Sequence, residues 1–133
     1  MITIVERIGK ALFSQYLHDF GFNNKTNLTM DGEVYSQIGA YERWPRTQFF
    51  NMSFGQGITA TMLQMAAAYS ALANGGVYMQ PYIVESMVYP DGKKIESVPT
   101  PQRRIIKEST SKQITAMLVD GVKNGFAKDG SVA

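Results

Sequence analysis

Apolar residues recur at three- and four-residue steps near the start of the chain: Ile4, Val5, Ile8, Leu12, Tyr16, Leu17 and Phe20. Glu6, Arg7, Lys10 and Asp19 fall elsewhere. Positions so spaced share one face of a helix, which predicts a single amphipathic helix over residues 2–20. Gly21 stands where a left-handed stop is wanted, and Phe22 follows to fold back on the last turn. No capping side chain precedes the first turn, so the helix reads as cut rather than begun. The pattern then lapses. Over residues 23–46, Asn23-Asn24, Asn27, Asp31-Gly32 and Trp44-Pro45 favour turns or extended chain, and so long an irregular stretch is expected to be pinned to other structure or functional. A short helical turn is expected near Thr47–Asn51.

The second strong pattern runs from Ser53 to Gly76. Gly55 and Gly57 punctuate a loop, and Thr61-Met-Leu-Gln64 forms a capping box in which Thr61 and Gln64 exchange side-chain bonds with each other's backbone. Alanines then alternate with Leu63, Met65, Tyr69 and Leu72, with almost no charged face. A helix apolar all round is expected to be buried, and small residues at 66–68 and 71 would let neighbouring backbones approach. Asn74-Gly75-Gly76 ends it. Val84–Tyr89 and Lys93–Val98 flank Pro90-Asp91-Gly92, which predicts a β-hairpin. Pro99 and Pro101 predict an extended connector. Ser109 or Thr110 is placed to cap a last amphipathic helix bearing Ile114, Met117, Leu118 and Val122. The tail from Asn124 to Ser131 is turn-rich and expected to be mobile. The fold class is thus mainly α with one β-hairpin.

Composition narrows the class without naming it. Hydrophobic residues make up 44% and charged residues 18% of the 133, values that suit a core rather than a disordered chain. Thirteen basic residues against eleven acidic ones give +2, too balanced to argue for nucleic acid or a membrane surface. No cysteine is present, which removes disulfides and thiolate chemistry. No apolar run approaches the ~20 residues that span a bilayer, and the N-terminal residues do not form a signal peptide.

Little of the reactive chemistry an enzyme needs can be assembled from these residues. A nucleophilic serine needs a base and oxyanion donors within reach. Of the nine serines only Ser109 has a lysine three residues on, Lys112, at the start of the predicted last helix. The single His18 sits between the apolar and polar faces of the first helix, where a structural histidine is the expectation. One histidine, no cysteine and unclustered carboxylates offer no metal site, and no cofactor is implied. Asp91-Gly92 is a hairpin turn, not a calcium loop. Gly55-Gln-Gly57 lacks the further glycine and preceding strand of a phosphate loop. Three Asn-x-Ser/Thr triplets, at Asn24, Asn27 and Asn51, are read as chance. Met62, Met65 and Met79 fit either an adaptable binding surface or, as the preferred reading, gap-filling in a helical core.

Several ordered motifs carry a resemblance. Phe20-Gly-Phe22 with Lys25-Thr26, Gly32-Glu33, Arg43-Trp44, Ser53-Phe-Gly-Gln-Gly57, Thr61 with Leu63-Gln64, and Asn74-Gly-Gly76 follow one another as in class B penicillin-binding proteins. The Asp91-Gly92 hairpin and the final helix come in the same order. One departure is Met62, where the family usually has proline; methionine is tolerated at that first helical position. The resemblance places this chain between the family's second motif, Ser-x-Asn, expected just before Met1, and its third, Lys-Thr-Gly, expected just after Ala133. The family's first motif, Ser-x-x-Lys, carries the acylated serine and its base and precedes the second, so it is expected outside this chain; Ser109-Thr-Ser-Lys112 has the same spacing but falls at the wrong place in the motif order.

What the resemblance implies is a single partial domain over residues 1–133, the helical subdomain of the penicillin-binding-protein and serine beta-lactamase-like fold. It implies a parent that is a peptidoglycan D,D-transpeptidase on the extracytoplasmic face of a bacterial cytoplasmic membrane, with stem peptides and beta-lactams as its partners. It leaves no catalytic residue in this chain. Phe54 and Gln56 are the substrate-cleft candidates, an aromatic wall and an amide; the alternative is a tight turn with Phe54 buried. Trp44 is expected to be a packing anchor, and Arg43 to bind a carboxylate, of the protein rather than of substrate. Apolar surface left uncovered in a partial domain would favour self-association. Two other readings stay open: a non-catalytic helical binding module, and part of a D,D-carboxypeptidase or beta-lactam sensor of the same fold.

Overall fold

The computed structural model describes residues 1–28 and 32–125. The predicted first helix is two: α1 (Ile2–Ile8) and α2 (Lys10–Asp19). Gly9 separates them at φ 80° and ψ 157°, a backbone region essentially reserved for glycine. The sequence periodicity runs straight across this break, which is why it was invisible as pattern. The bend turns Val5 inward, where Phe13 and Leu17 pack on the same cluster. Ile4, Ile8, Leu12 and Tyr16, the stripe the periodicity marks, lie exposed instead. At the end of α2 the expected stop is present. Gly21 takes φ 89°, and the Phe22 and Gly21 amides donate to the Leu17 and His18 carbonyls at 2.9 Å.

The irregular stretch is pinned, as expected. Asn23 Oδ1 accepts the Ile38 amide at 2.8 Å, and the Trp44 indole N–H donates to the Ile38 carbonyl at 3.1 Å. Glu33 accepts both the amide and the hydroxyl of Thr26 at 2.6 Å. The Asp31 half of the Asp31-Gly32 turn lies outside the described residues, as does the tail beyond Gly125. A 3₁₀ turn at Tyr41–Arg43 leads into α3 (Arg46–Met52), slightly longer than the predicted turn. Val5, Trp44, Phe49 and Met52 form the first apolar cluster, with Trp44 and Phe13 meeting edge to face. Trp44 is the anchor its sequence position suggests. Arg43 is exposed, and among the described residues it enters no ion pair, so the protein carboxylate expected for it is not found there.

The central helix, α4 (Met62–Ala73), begins at the predicted capping box: the Gln64 amide donates to Thr61 Oγ1 at 3.1 Å and the Thr61 amide to Gln64 Oε1 at 3.0 Å. It is not buried all round. Gln64, Ala67, Ala68 and Ala71 face inward, whereas Met62, Met65 and Tyr69 are exposed. Gap-filling therefore does not account for Met62 and Met65. After Gly75-Gly76 the chain forms β1 (Val77–Met79), then the predicted hairpin β2 (Ser86–Val88) and β3 (Lys94–Glu96), which pair antiparallel with Met87 opposite Ile95. Pro99 and Pro101 do not merely connect. Residues Pro101–Arg104 are β4, antiparallel to β1 with Val77 opposite Arg104 and an irregularity after Tyr78. Pro101 sits at the strand end, where a missing amide costs no ladder bond.

Tyr78 joins Ala67 and Ala71 in the second cluster, capped by Ile105. The last helix, α5 (Glu108–Asn124), starts earlier than predicted. Lys107 is its N-cap with no side-chain bond, so Ser109 and Thr110 lie inside the first turn rather than capping it. The start is set by tertiary contact: the Ile105 amide donates to the Gly76 carbonyl at 2.8 Å and Ser111 Oγ donates to the Leu72 carbonyl at 2.5 Å. Of the predicted apolar stripe, Ile114 is half-buried, while Met117, Leu118 and Val122 are exposed. The architecture is mainly helical with one hairpin, as expected, plus the β1–β4 pair that the sequence did not show.

Candidate functional site

Residues 53–60 connect α3 to α4 and carry the two cleft candidates. The α3 end unwinds into a tight knot: Ser53 Oγ donates to the Phe50 carbonyl at 2.7 Å, and the Phe54 and Gln56 amides both donate to the Asn51 carbonyl, at 3.2 and 3.0 Å. Gly55 and Gly57 take φ 86° and 73°, left-handed values that side chains rarely adopt. Nothing lies within 4 Å of where a Cβ would sit on either, so backbone conformation rather than crowding demands glycine. Ile58 turns back onto the first cluster. The loop is thereby fastened at its base and projects Phe54, 48% exposed, and Gln56, also exposed. A buried Phe54, one of the two sequence readings, is ruled out. Among the described residues the Gln56 side-chain amide has no hydrogen-bond partner, so its donor and acceptor both face outward.

The other end of the loop is held more firmly than the capping box alone requires. Gln64 is 0% exposed, and all four of its side-chain hydrogen-bond positions are used. Oε1 accepts the Thr61 amide at 3.0 Å and the Ser36 hydroxyl at 3.2 Å. Nε2 donates to the carbonyls of Asn24 at 3.0 Å and Gly21 at 3.3 Å. The sequence signalled the capping half of this arrangement but not the half that reaches α2, because those partners are backbone carbonyls more than forty positions upstream or, for Asn24, forty.

His18 is exposed and its ring nitrogens face the side-chain amides of Asn23 and Asn24, not a hydroxyl. No serine–histidine pair forms there among the described residues. Nor, among them, do three histidine or carboxylate side chains converge as a metal-ligand set.

A polar cavity of about 280 Å³ lies away from the loop, lined by Lys25, Thr26, Tyr78, Gln80, Gln102 and Arg103 among others. Its guanidinium is already committed. Arg103 donates to the Asp19 and His18 carbonyls at 2.9 Å and stacks 4.6 Å over the Tyr78 ring. It braces the negative end of α2, and a ligand would have to displace it. Burial pushes the Tyr78 phenol above its usual range against the opposing Arg103 charge. Burial also opposes the Glu33 charge, but the hydrogen bonds from Thr26 outweigh it, and its carboxyl is held below the ordinary range.

The family described as penicillin binding protein transpeptidase domain matches residues 1–132. Stage V sporulation protein D of Bacillus subtilis is 35% identical over 98% of this chain, which covers 21% of that protein. A probable peptidoglycan D,D-transpeptidase, PenA of Neisseria meningitidis, is 29% identical over 90% of this chain and is 19% covered. Among solved structures, penicillin binding protein 3 of Mycobacterium tuberculosis complexed with aztreonam superposes with a TM-score of 0.81 and 30% identity, over 88% of this chain and 26% of that one. The chain thus spans about a fifth of the length of the curated relatives it matches. Among the described residues, no helix is long and apolar enough to cross a membrane.

Proposed function

The chain belongs to the penicillin-binding protein transpeptidase family, and from that premise we propose that it is the helical part of a peptidoglycan D,D-transpeptidase domain in which Phe54 and Gln56 line the substrate groove. The observation that carries this reading is the 53–60 loop, glycine-shaped, fastened at both ends, and presenting outward an aromatic face and an amide that has no partner among the described residues. Such a pair suits a peptide substrate: the ring shields a methyl-bearing D-alanyl residue from water, and the amide can both accept from and donate to a peptide bond. The remaining wall of the groove, with the serine nucleophile and its lysine base, comes from the rest of the parent protein.

In that parent the serine hydroxyl attacks the D-Ala-D-Ala amide carbon, its proton passing to the base. The C–N bond breaks, D-alanine leaves, and an amine of a neighbouring strand displaces the serine to form the cross-link. Beta-lactams occupy the same groove because their strained amide imitates the dipeptide. The chain itself contributes binding and orientation, not bond-making: its one Ser-x-x-Lys spacing, Ser109 and Lys112, lies in the first turns of α5, with the Lys112 ammonium paired to Glu108 at 2.8 Å. Residues 1–133 are one partial domain whose exposed stripes, Ile4, Ile8 and Leu12 on α1–α2 and Met117 and Leu118 on α5, meet the rest of the domain in the parent. The parent acts on the outer face of the cytoplasmic membrane, held by a segment other than these helices.

Fluorescent penicillin tests the reading. The full-length parent is labelled and the 133-residue chain is not. Phe54→Ala or Gln56→Ala in the parent lowers the acylation rate by roughly tenfold, the equivalent of one lost contact of about 1.4 kcal/mol, with little change in melting temperature. Labelling of the isolated chain, or none of the parent, refutes it.

A further inference from the structure

We propose that Gln64 is a positioning residue for the groove loop: its buried hydrogen bonds set where residues 53–60, and with them Phe54 and Gln56, stand relative to α2. The inference rests on the groove reading above. The loop bridges two apolar clusters that share no residue. Its α3 end belongs to the cluster of Val5, Trp44, Phe49 and Met52, while its α4 end belongs to that of Ala67, Ala71 and Tyr78. Apolar packing orders each block but does not by itself fix the offset between them, because it is non-directional. Directional contacts across the junction do.

Gln64 supplies these on the loop's own helix. One oxygen holds the Thr61 amide, where the loop ends, together with the Ser36 hydroxyl from the irregular stretch. The nitrogen holds the Gly21 and Asn24 carbonyls at the exit of α2. Among the described residues it is the one large side chain with no exposure at all. A leucine or methionine there would fill the space, yet leave both carbonyls without their donor, and the Ser36 O–H and Thr61 N–H without their acceptor. Nothing about burial requires an amide at this position. The bonds across the junction do.

The test uses the full-length parent and a fluorescent penicillin, with acylation followed in time so that the rate constant and the labelled amplitude separate. Gln64→Met is expected to slow acylation by roughly tenfold or more while the folded fraction still labels to completion, as a misplaced groove would. Ser36→Ala, which removes the bond to Gln64, a long 3.5 Å bond from the Asn23 amide and little volume, slows it by a few-fold. In a Phe54→Ala background Gln64→Met costs much less, because the group it positions is gone. A wild-type rate constant with reduced amplitude shows a stability role only and overturns the proposal. If Gln64→Met fails to fold, a wild-type rate in Ser36→Ala overturns it equally. Additive effects of Gln64→Met and Phe54→Ala also count against it. An unlabelled wild-type parent is a different failure, that of the transpeptidase reading, and takes this proposal with it.

Discussion

Gly75 and Gly76 provide a matched pair in which backbone strain and steric exclusion can be separated. Both take left-handed conformations, φ 80° and 88°. A Cβ on Gly75 would meet only Glu108 Cγ at 3.5 Å, an ordinary contact with a mobile side chain. A Cβ on Gly76 would overlap the Ile106 carbonyl oxygen and lie 2.7 Å from Ile106 Cγ1. Backbone cannot give way there, because the Gly76 carbonyl also receives the Ile105 and Ile106 amides, which start the turn into α5. Alanine in the left-handed region costs roughly 1–2 kcal/mol. Restricting the unfolded chain returns about 0.4–1 kcal/mol of that. Gly75→Ala should therefore destabilise by about 0–1.6 kcal/mol. Gly76→Ala carries the same two contributions plus overpacking of roughly 1–3 kcal/mol, so it should cost about 1–3 kcal/mol more than Gly75→Ala. Guanidinium denaturation of the chain at one fixed concentration, with a shared slope, measures the difference. Equal losses, or a larger loss at Gly75, would refute the claim that close approach of β1 and the α5 entry is what excludes a side chain at 76.

Two further outcomes follow from the same structure. Glu33→Gln should cost about 1 kcal/mol at neutral pH, a charge-assisted bond discounted for partial exposure. The folded carboxyl titrates below its unfolded value, so this contribution is complete above the unfolded pKa near ~4.3 and disappears as pH falls through the lower folded value. Stability curves of wild type and variant should therefore converge in acid, and a gap that persists there counts against the Thr26–Glu33 account. The isolated chain, with the α1–α2 and α5 stripes uncovered, should self-associate in sedimentation experiments, and a clean monomer at high concentration would speak against those stripes as a covered face.

Local sequence was enough wherever a structure depends on neighbours along the chain. The Gly21 stop, the Thr61–Gln64 capping box, the Asp91-Gly92 hairpin and the ordered family motifs all draw on residues within a few positions, so their chemistry is written in the spacing. The loop glycines at 55 and 57 were legible for the same reason, and Phe54 and Gln56 were legible as cleft candidates only through the resemblance of the Ser53–Gly57 run to the family. Their exposure was not, since it depends on how α3 and α4 meet.

Everything decided between distant segments needed the tertiary structure. The break at Gly9 has no signature in hydrophobic period, because apolar residues continue on both sides of it; the bend becomes favourable only when Val5 can reach Trp44 and Phe49. β4 looked like a proline-bearing connector because its pairing partner, β1, lies more than twenty residues away. The start of α5 follows from Ile105 bonding to Gly76, not from the hydroxyls at 109 and 110. Gln64 shows the division within one side chain. Its bond to the Thr61 amide is local and could be foreseen, while its bonds to Gly21, Asn24 and Ser36 exist only once α4 has docked against the exit of α2.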